Sequence, residues 1–179
     1  RATGQAGDAP SVSLILGAGN VSSIPITDAL TKIFQENQAV LLKMNPVNEY
    51  LGPIFEDAFS PLIKADLLRV VYGGADVGAS LVASSSIDCI HITGSDRTHD
   101  AIVWGGTLEE QERRKATGTP LLDKPITREL GNVSPWIIVP ARYTQRQLRF
   151  QAENIVASIT NNGSFNCNAT KMLITCKDW

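Results

Sequence analysis

Aromatic side chains are scarce, at 6% of 179 residues, and the 16 lysines and arginines do not outnumber the 18 aspartates and glutamates. A net charge of -2 with interspersed signs leaves neither a basic stripe for phosphates nor a stacking platform for bases, so nucleic acid is not an expected partner. No apolar run approaches the roughly 18–20 residues of a membrane helix, and no membrane partner is expected. The first ten residues, Arg1 to Pro10, hold no apolar signal region, which reads as a soluble, cytoplasmic chain. Cysteines are few and odd in number: Cys89, Cys167 and Cys176 are too widely spaced for a disulfide framework and are expected as free thiols. No C-x-x-C or H-x-x-x-H spacing accompanies His91 and His99, so no metal site is expected.

What is present is a 43% hydrophobic composition, enough for a buried core, arranged in a regular alternation. Strands are expected at Ser11–Leu16, Ala39–Leu42, Leu67–Tyr72 and Ile87–Thr93, with helical spacing at Asp28–Phe34, Leu51–Leu62 and Val77–Val82 between them. Short apolar strands alternating with helices imply an α/β fold with a doubly wound parallel sheet. Gly105–Lys124 is a charged helix or loop. Order returns with Ile126–Leu130, Trp136–Val139, a helix over Thr144–Thr160 and a strand at Met172–Thr175. A seam near Pro140 divides the chain into residues 1–140 and 141–179.

Several residues stand out within that frame. Gly17-x-Gly19-x-x-Ser22 follows a strand as a dinucleotide fingerprint does, but serine replaces the third glycine, and Lys43 stands where an acidic residue would end the second strand. The same glycines also suit a plain turn, and Asn20 within it suits a left-handed backbone or a helix cap. Ser95 is placed either to meet a phosphate at a helix N-terminus or simply to cap that helix. Cys89 and Cys176 sit in apolar strands as buried hydrophobes would, whereas Cys167 lies between Asn166 and Asn168 in a polar turn after a helix.

Five segments, in order, carry a resemblance: Gly19-Asn20-Val21-Ser22-Ser23-Ile24-Pro25, Leu42-Lys43-Met44-Asn45-Pro46, Ile92-Thr93-Gly94-Ser95, Glu129-Leu130-Gly131-Asn132-Val133-Ser134-Pro135 and Asn162-Gly163-Ser164-Phe165-Asn166-Cys167-Asn168-Ala169. Over roughly Val12 to Thr175 the chain resembles the aldehyde dehydrogenase superfamily. The resemblance implies an incomplete Rossmann-like nucleotide-binding domain over 1–140, and over 141–179 the start of a catalytic domain. It implies Cys167 as nucleophile, Glu129 as general base and Asn20 as a donor to the substrate oxyanion. It gives Lys43, Gly94 and Ser95 to the adenosine and phosphate side of NAD or NADP.

The implied reaction is NAD(P)-dependent oxidation of a small-molecule aldehyde to a carboxylic acid through a cysteine thioester, in a complete enzyme of which this chain is a fragment, inactive alone. That complete enzyme leaves room for a homo-oligomer. Three departures from the family pattern stand out. Pro46 occupies a position often acidic in NAD-preferring members, with Glu49 the nearest carboxylate, so the choice of NAD or NADP stays open. Asn132 replaces a second glycine, and four steps rather than three separate Gly163 from Cys167. Two other readings remain: an acylating relative that passes the acyl group between coenzyme A and the thiol, and a nucleotide-binding module without catalysis. The catalytic reading further expects Cys167 and Glu129 to face one cleft near Asn20.

Overall fold

Short apolar runs, each followed by a glycine or polar turn, form parallel strands in the computed structural model, which describes residues 11–177. Arg1–Pro10, read above as free of an apolar signal region, lies outside the described residues. Strands β1 (Val12–Leu16), β2 (Ala39–Lys43), β3 (Leu68–Val71), β4 (Cys89–Gly94) and β5 (Ile126–Leu130) form one sheet in the order β3-β2-β1-β4-β5, every pair parallel. The strands expected from the alternation are all found, with bounds that move by no more than two residues. The chain runs outward from β1 through β2 to β3, then returns to lay β4 on the other side of β1. The sheet is therefore doubly wound, with its switch point between β1 and β4.

Six helices connect these strands: α1 (Ile24–Phe34), α2 (Gly52–Ala58), α3 (Ser60–Lys64), α4 (Ala75–Ala83), α5 (Asp96–Trp104) and α6 (Leu108–Thr117). Adjacent residues of β1 point to opposite faces, and both faces are buried. Ile15 packs with Val40, Leu42 and Leu68 and with Ile26, Ala29 and Ile33 of α1, while Phe55 and Leu62 close over the same cluster. Leu14 packs with Ile87 and Ile90, under Leu81 and Val82 of α4. Two covered faces are what continuous apolar strands require.

The single helix expected over Leu51–Leu62 is instead three pieces: a 3-10 turn over Pro46–Leu51, then α2 and α3, with a break at Phe59 (φ -106°, ψ 22°). Pro53 and Pro61 explain the division. Proline lacks an N–H and clashes with the preceding turn, so each is tolerated only where a helix begins, and each sits in the first turn of its own short helix. The charged stretch after Gly105 resolves as α6, capped by Thr107, whose hydroxyl accepts from Glu110 N at 3.2 Å. Glu109 and Glu110 lie in its first turn and Arg114 and Lys115 in its last, the order that suits the helix dipole.

A polar chain joins α5, α6 and β5. Arg128 Nη1 lies 2.9 Å from His99 Nε2, and since arginine only donates, the His99 proton sits on Nδ1, facing Asp100 at 3.1 Å. Asp100 also accepts from Lys115 Nζ at 2.6 Å. The lysine bond, opposed by partial burial and helped by His99, holds the Asp100 carboxyl below its ordinary pKa. A carboxylate whose folded pKa is depressed stabilises the fold above its unfolded value of about 3.9, and that contribution is lost as pH falls through the folded pKa. Urea unfolding from about pH 5 downward should therefore show a shallower acid loss in Asp100→Asn than in the parent. Parallel acid limbs would mean that the bridge contributes nothing.

The described chain divides into two compact units, the second beginning at Gly131, so the seam read near Pro140 lies inside that unit. There β6 (Ser134–Ile137) pairs parallel with β7 (Thr170–Ile174) as a separate two-stranded sheet, joined through α7 (Gln145–Thr160). Helix α7 starts with a reciprocal capping box: Thr144 Oγ1 accepts from Gln147 N at 3.3 Å, and Thr144 N donates to Gln147 Oε1 at 2.9 Å. Among the described residues no helix is long and apolar enough to cross a membrane.

Candidate active site

The turn after β1 is shaped by its neighbours. Gly17 N donates to Lys43 O at 2.9 Å, which carries the β1–β2 ladder into the turn. A side chain at Gly19 would lie 2.9 Å from the Asn45 amide, so the close approach of Asn45 accounts for that glycine. Asn45 Oδ1 accepts from Val47 N at 3.1 Å to start the 3-10 turn, and Asn48 Nδ2 donates to Ala18 O at 3.1 Å in a buried bond. Asn20 is half-buried at the carboxyl end of β1. It has no positive φ, and the N-cap position of α1 is Ser23, whose side chain makes no capping bond.

Lys43 ends β2 and is 7% exposed, unlike the solvated lysines usual at strand ends. Burial pulls its pKa down, against the nearby charges of Glu49 and Asp76, which push it up. Glu49 is itself held by Gly73 N, which donates to Oε1 at 2.8 Å. On the other side of the switch point Gly94 ends β4. A side chain there would meet nothing closer than Ile92 at 3.7 Å, an ordinary contact, so the protein's own packing does not demand the glycine. Ser95 takes the capping role: its hydroxyl accepts from Thr98 N at 3.1 Å. An exposed backbone opening a helix, with a desolvated lysine two strands away, suits the phosphate and adenosine side of a dinucleotide.

Glu129 lies on β5 opposite Thr93 and is exposed. Beneath this corner a polar network ties α1 to β4 and β5. Thr93 Oγ1 donates to Asp28 at 2.9 Å, His91 Nε2 lies 3.4 Å from the same carboxylate, and His91 Nδ1 lies 2.8 Å from Thr127 Oγ1. Within the first unit, then, Asn20, Lys43, Gly94, Ser95 and Glu129 all fall along the carboxyl edge of one sheet. Lys43 and Glu129 stand three strand spacings apart, about 14 Å.

Cys167 belongs to the second unit. It is exposed, in a turn closed by Ala169 N donating to Asn166 O at 3.1 Å. Buried Ala169 and Thr170 anchor the turn's far end. On its near side Asn162, Gly163 and Ser164 take positive φ in succession (50°, 56° and 67°), which for non-glycine residues costs about 1 kcal/mol each. This is where the family spacing is departed from by one residue. Cys176, expected inside an apolar strand, lies beyond the end of β7 and is exposed, because β7 stops at Ile174. Cys89 is half-buried, its thiol 3.5 Å from Gln38 Oε1.

The sequence reading missed Asn45 and Asn48, which fix the glycine turn; Asn45-Pro46, a cap followed by proline, was the available signal. It also missed Lys171, which bonds to Ser164 and has no motif to announce it. Among the described residues no group of three His, Cys, Asp or Glu side chains is arranged to hold a metal.

The family model described as the aldehyde dehydrogenase family matches residues 37–178. Among solved structures the chain is similar to a Mycobacterium tuberculosis aldehyde dehydrogenase complexed with NAD+, at 27% identity and a TM-score of 0.59, over 92% of this chain and 30% of that one. It is similar to a gamma-glutamyl-gamma-aminobutyraldehyde dehydrogenase from Burkholderia cenocepacia, at 24% identity and a TM-score of 0.67, over 94% and 31%. A succinic semialdehyde dehydrogenase from Streptococcus pyogenes, in complex with NADP+, shares the fold at 18% identity and a TM-score of 0.64, over 95% and 34%. The chain thus spans about a third of the length of each of these structures.

Proposed function

Because this chain belongs to the aldehyde dehydrogenase family, we propose that it carries the nucleotide side and the nucleophile of an NAD(P)-dependent aldehyde oxidation. The observation that carries the reading is the edge of the five-stranded sheet, where Asn20 follows β1 and Lys43, Gly94 and Glu129 lie at the carboxyl ends of β2, β4 and β5, on both sides of the switch point. Ligands of doubly wound sheets bind at that edge.

Each side chain has a task in this reading. The Cys167 thiolate adds to the aldehyde carbon, and the Asn20 amide donates to the oxygen as negative charge develops there. Lys43 holds the adenosine ribose or its phosphate, and the backbone at Gly94 and Ser95 approaches the pyrophosphate. The nicotinamide, when bound, supplies the hydride acceptor. Glu129 takes a proton from the water that attacks the thioester carbon, the C–S bond breaks, and the acid leaves with Cys167 restored.

The chain spans about a third of its structural relatives, so binding and turnover should separate in it. Calorimetry should find weak binding of NAD or NADP, weakened about tenfold more in Lys43→Ala, the size expected for a hydrogen bond to a charged group. Aldehyde should give no reduced cofactor above a Cys167→Ala control, since hydride transfer needs a supporting shell that positions its partners to about 0.5 Å. Absence of any binding would count against the cofactor assignment. Turnover above the control would show that the chain holds a complete site.

A further inference from the structure

The loop before Cys167 is strained, and one side chain from outside every recognised motif holds it. Ser164 sits at φ 67°, a region that serine rarely occupies. Lys171, on β7, donates from Nζ to the Ser164 carbonyl oxygen and, at 2.8 Å, to the Ser164 hydroxyl. The root of this strand is fixed, because Thr170 is 5% exposed and shares a 2.7 Å hydroxyl contact with Ser158 of α7. Two backbone bonds then shape the segment between: Phe165 N to Asn162 O at 2.9 Å and Ala169 N to Asn166 O at 3.1 Å.

We propose that Lys171 is a positioning residue for the Cys167 thiol. Its ammonium clamps the left-handed run at Ser164 and so sets where the Asn166–Ala169 turn presents the sulfur. The proposal rests on the reading of Cys167 as the nucleophile. A lysine suits the task, since three donors on one point charge satisfy both the carbonyl and the hydroxyl of a single residue. Methionine would keep the stem and lose the donors, whereas arginine would keep both donors and charge.

The test has two arms. In this chain, amide hydrogen exchange at Phe165 and Ala169 should speed up about tenfold in Lys171→Met, as loss of a charge-assisted bond implies, with the amides of β1 and β4 unchanged and Lys171→Arg close to the parent. In the Ser164→Gly background, where positive φ is free of strain, Lys171→Met should have a smaller effect. In the full-length gene product, Lys171→Met should lower kcat by about tenfold while the aldehyde KM holds. Unchanged exchange, or an equal effect of Lys171→Met with and without Ser164→Gly, overturns the clamp. Unchanged kcat in Lys171→Met, alongside inactivity of Cys167→Ala, overturns the positioning role and leaves the nucleophile reading standing. Activity in Cys167→Ala removes the nucleophile reading and the positioning role with it.

Discussion

Cys167→Ala in the full-length gene product should abolish aldehyde-dependent formation of reduced cofactor, a fall of at least about a thousandfold, as removal of a covalent nucleophile typically produces. Dinucleotide binding should survive in the same variant, because the residues assigned to the cofactor lie at the carboxyl edge of the five-stranded sheet and Cys167 belongs to the other unit. The informative control is Cys176→Ala. Both thiols are exposed, so exposure alone predicts equal chemistry for the two. What separates them is setting: Cys167 occupies a hydrogen-bonded turn between a strained run and a buried anchor, whereas Cys176 follows the last strand. A preorganised turn holds a reacting atom in place. If Cys176→Ala costs as much as Cys167→Ala, or if neither costs anything, the nucleophile has been assigned wrongly. The second of these outcomes would favour a nucleotide-binding module without catalysis.

Much of the sheet was legible in the sequence because burial on both faces writes itself as unbroken apolar runs. Ser11–Leu16 and Ile87–Thr93 were expected as strands, and the strands found there, Val12–Leu16 and Cys89–Gly94, pair as neighbours. The helix over Leu51–Leu62 failed for a local reason. Its apolar spacing was right, but the two prolines within the stretch outweigh periodicity, since each removes a donor that a continuous helix needs. The pairing of β6 with β7 was not legible either, because a four-residue strand of alternating exposure reads the same whether it joins the main sheet or a separate one.

Site residues divide along the same line. Lys43 and Gly94 were visible as the last residues of strands, and their strand ends fix where they stand. Their surroundings were hidden, because burial of Lys43 and its two carboxylate neighbours depends on β3, α4 and the 3-10 turn converging on β2. Ser164 is the extreme case. Nothing in Asn-Asn-Gly-Ser announces that the serine and not only the glycine takes a positive φ, since that is decided by Lys171 reaching back across seven residues.

Glu129→Gln should separate the two halves of the reaction and, with them, the hydrolytic from the acylating reading. Glutamine keeps the shape and polarity of the side chain but cannot accept a proton from water, so loss of the base should slow steady-state turnover by about a hundredfold to ten thousandfold. Formation of the thioester does not need that base in the reading above. A rapid burst of about one reduced cofactor per Cys167 should therefore persist, followed by a slow phase, which is the kinetic sign of an accumulating acyl-enzyme. The intermediate should be visible as an acyl mass on the Cys167 peptide and should be discharged by hydroxylamine. Coenzyme A then discriminates between the mechanisms. A thiolate attacks a thioester without help from Glu129, so an enzyme built for acyl transfer should regain full turnover when coenzyme A is added, whereas a hydrolytic enzyme should stay slow. Steady-state turnover equal to that of the parent, with water as the only acceptor, would remove Glu129 from the mechanism. An exposed carboxylate on an edge strand would then be only part of a solvated face, the fate of most glutamates at such a position.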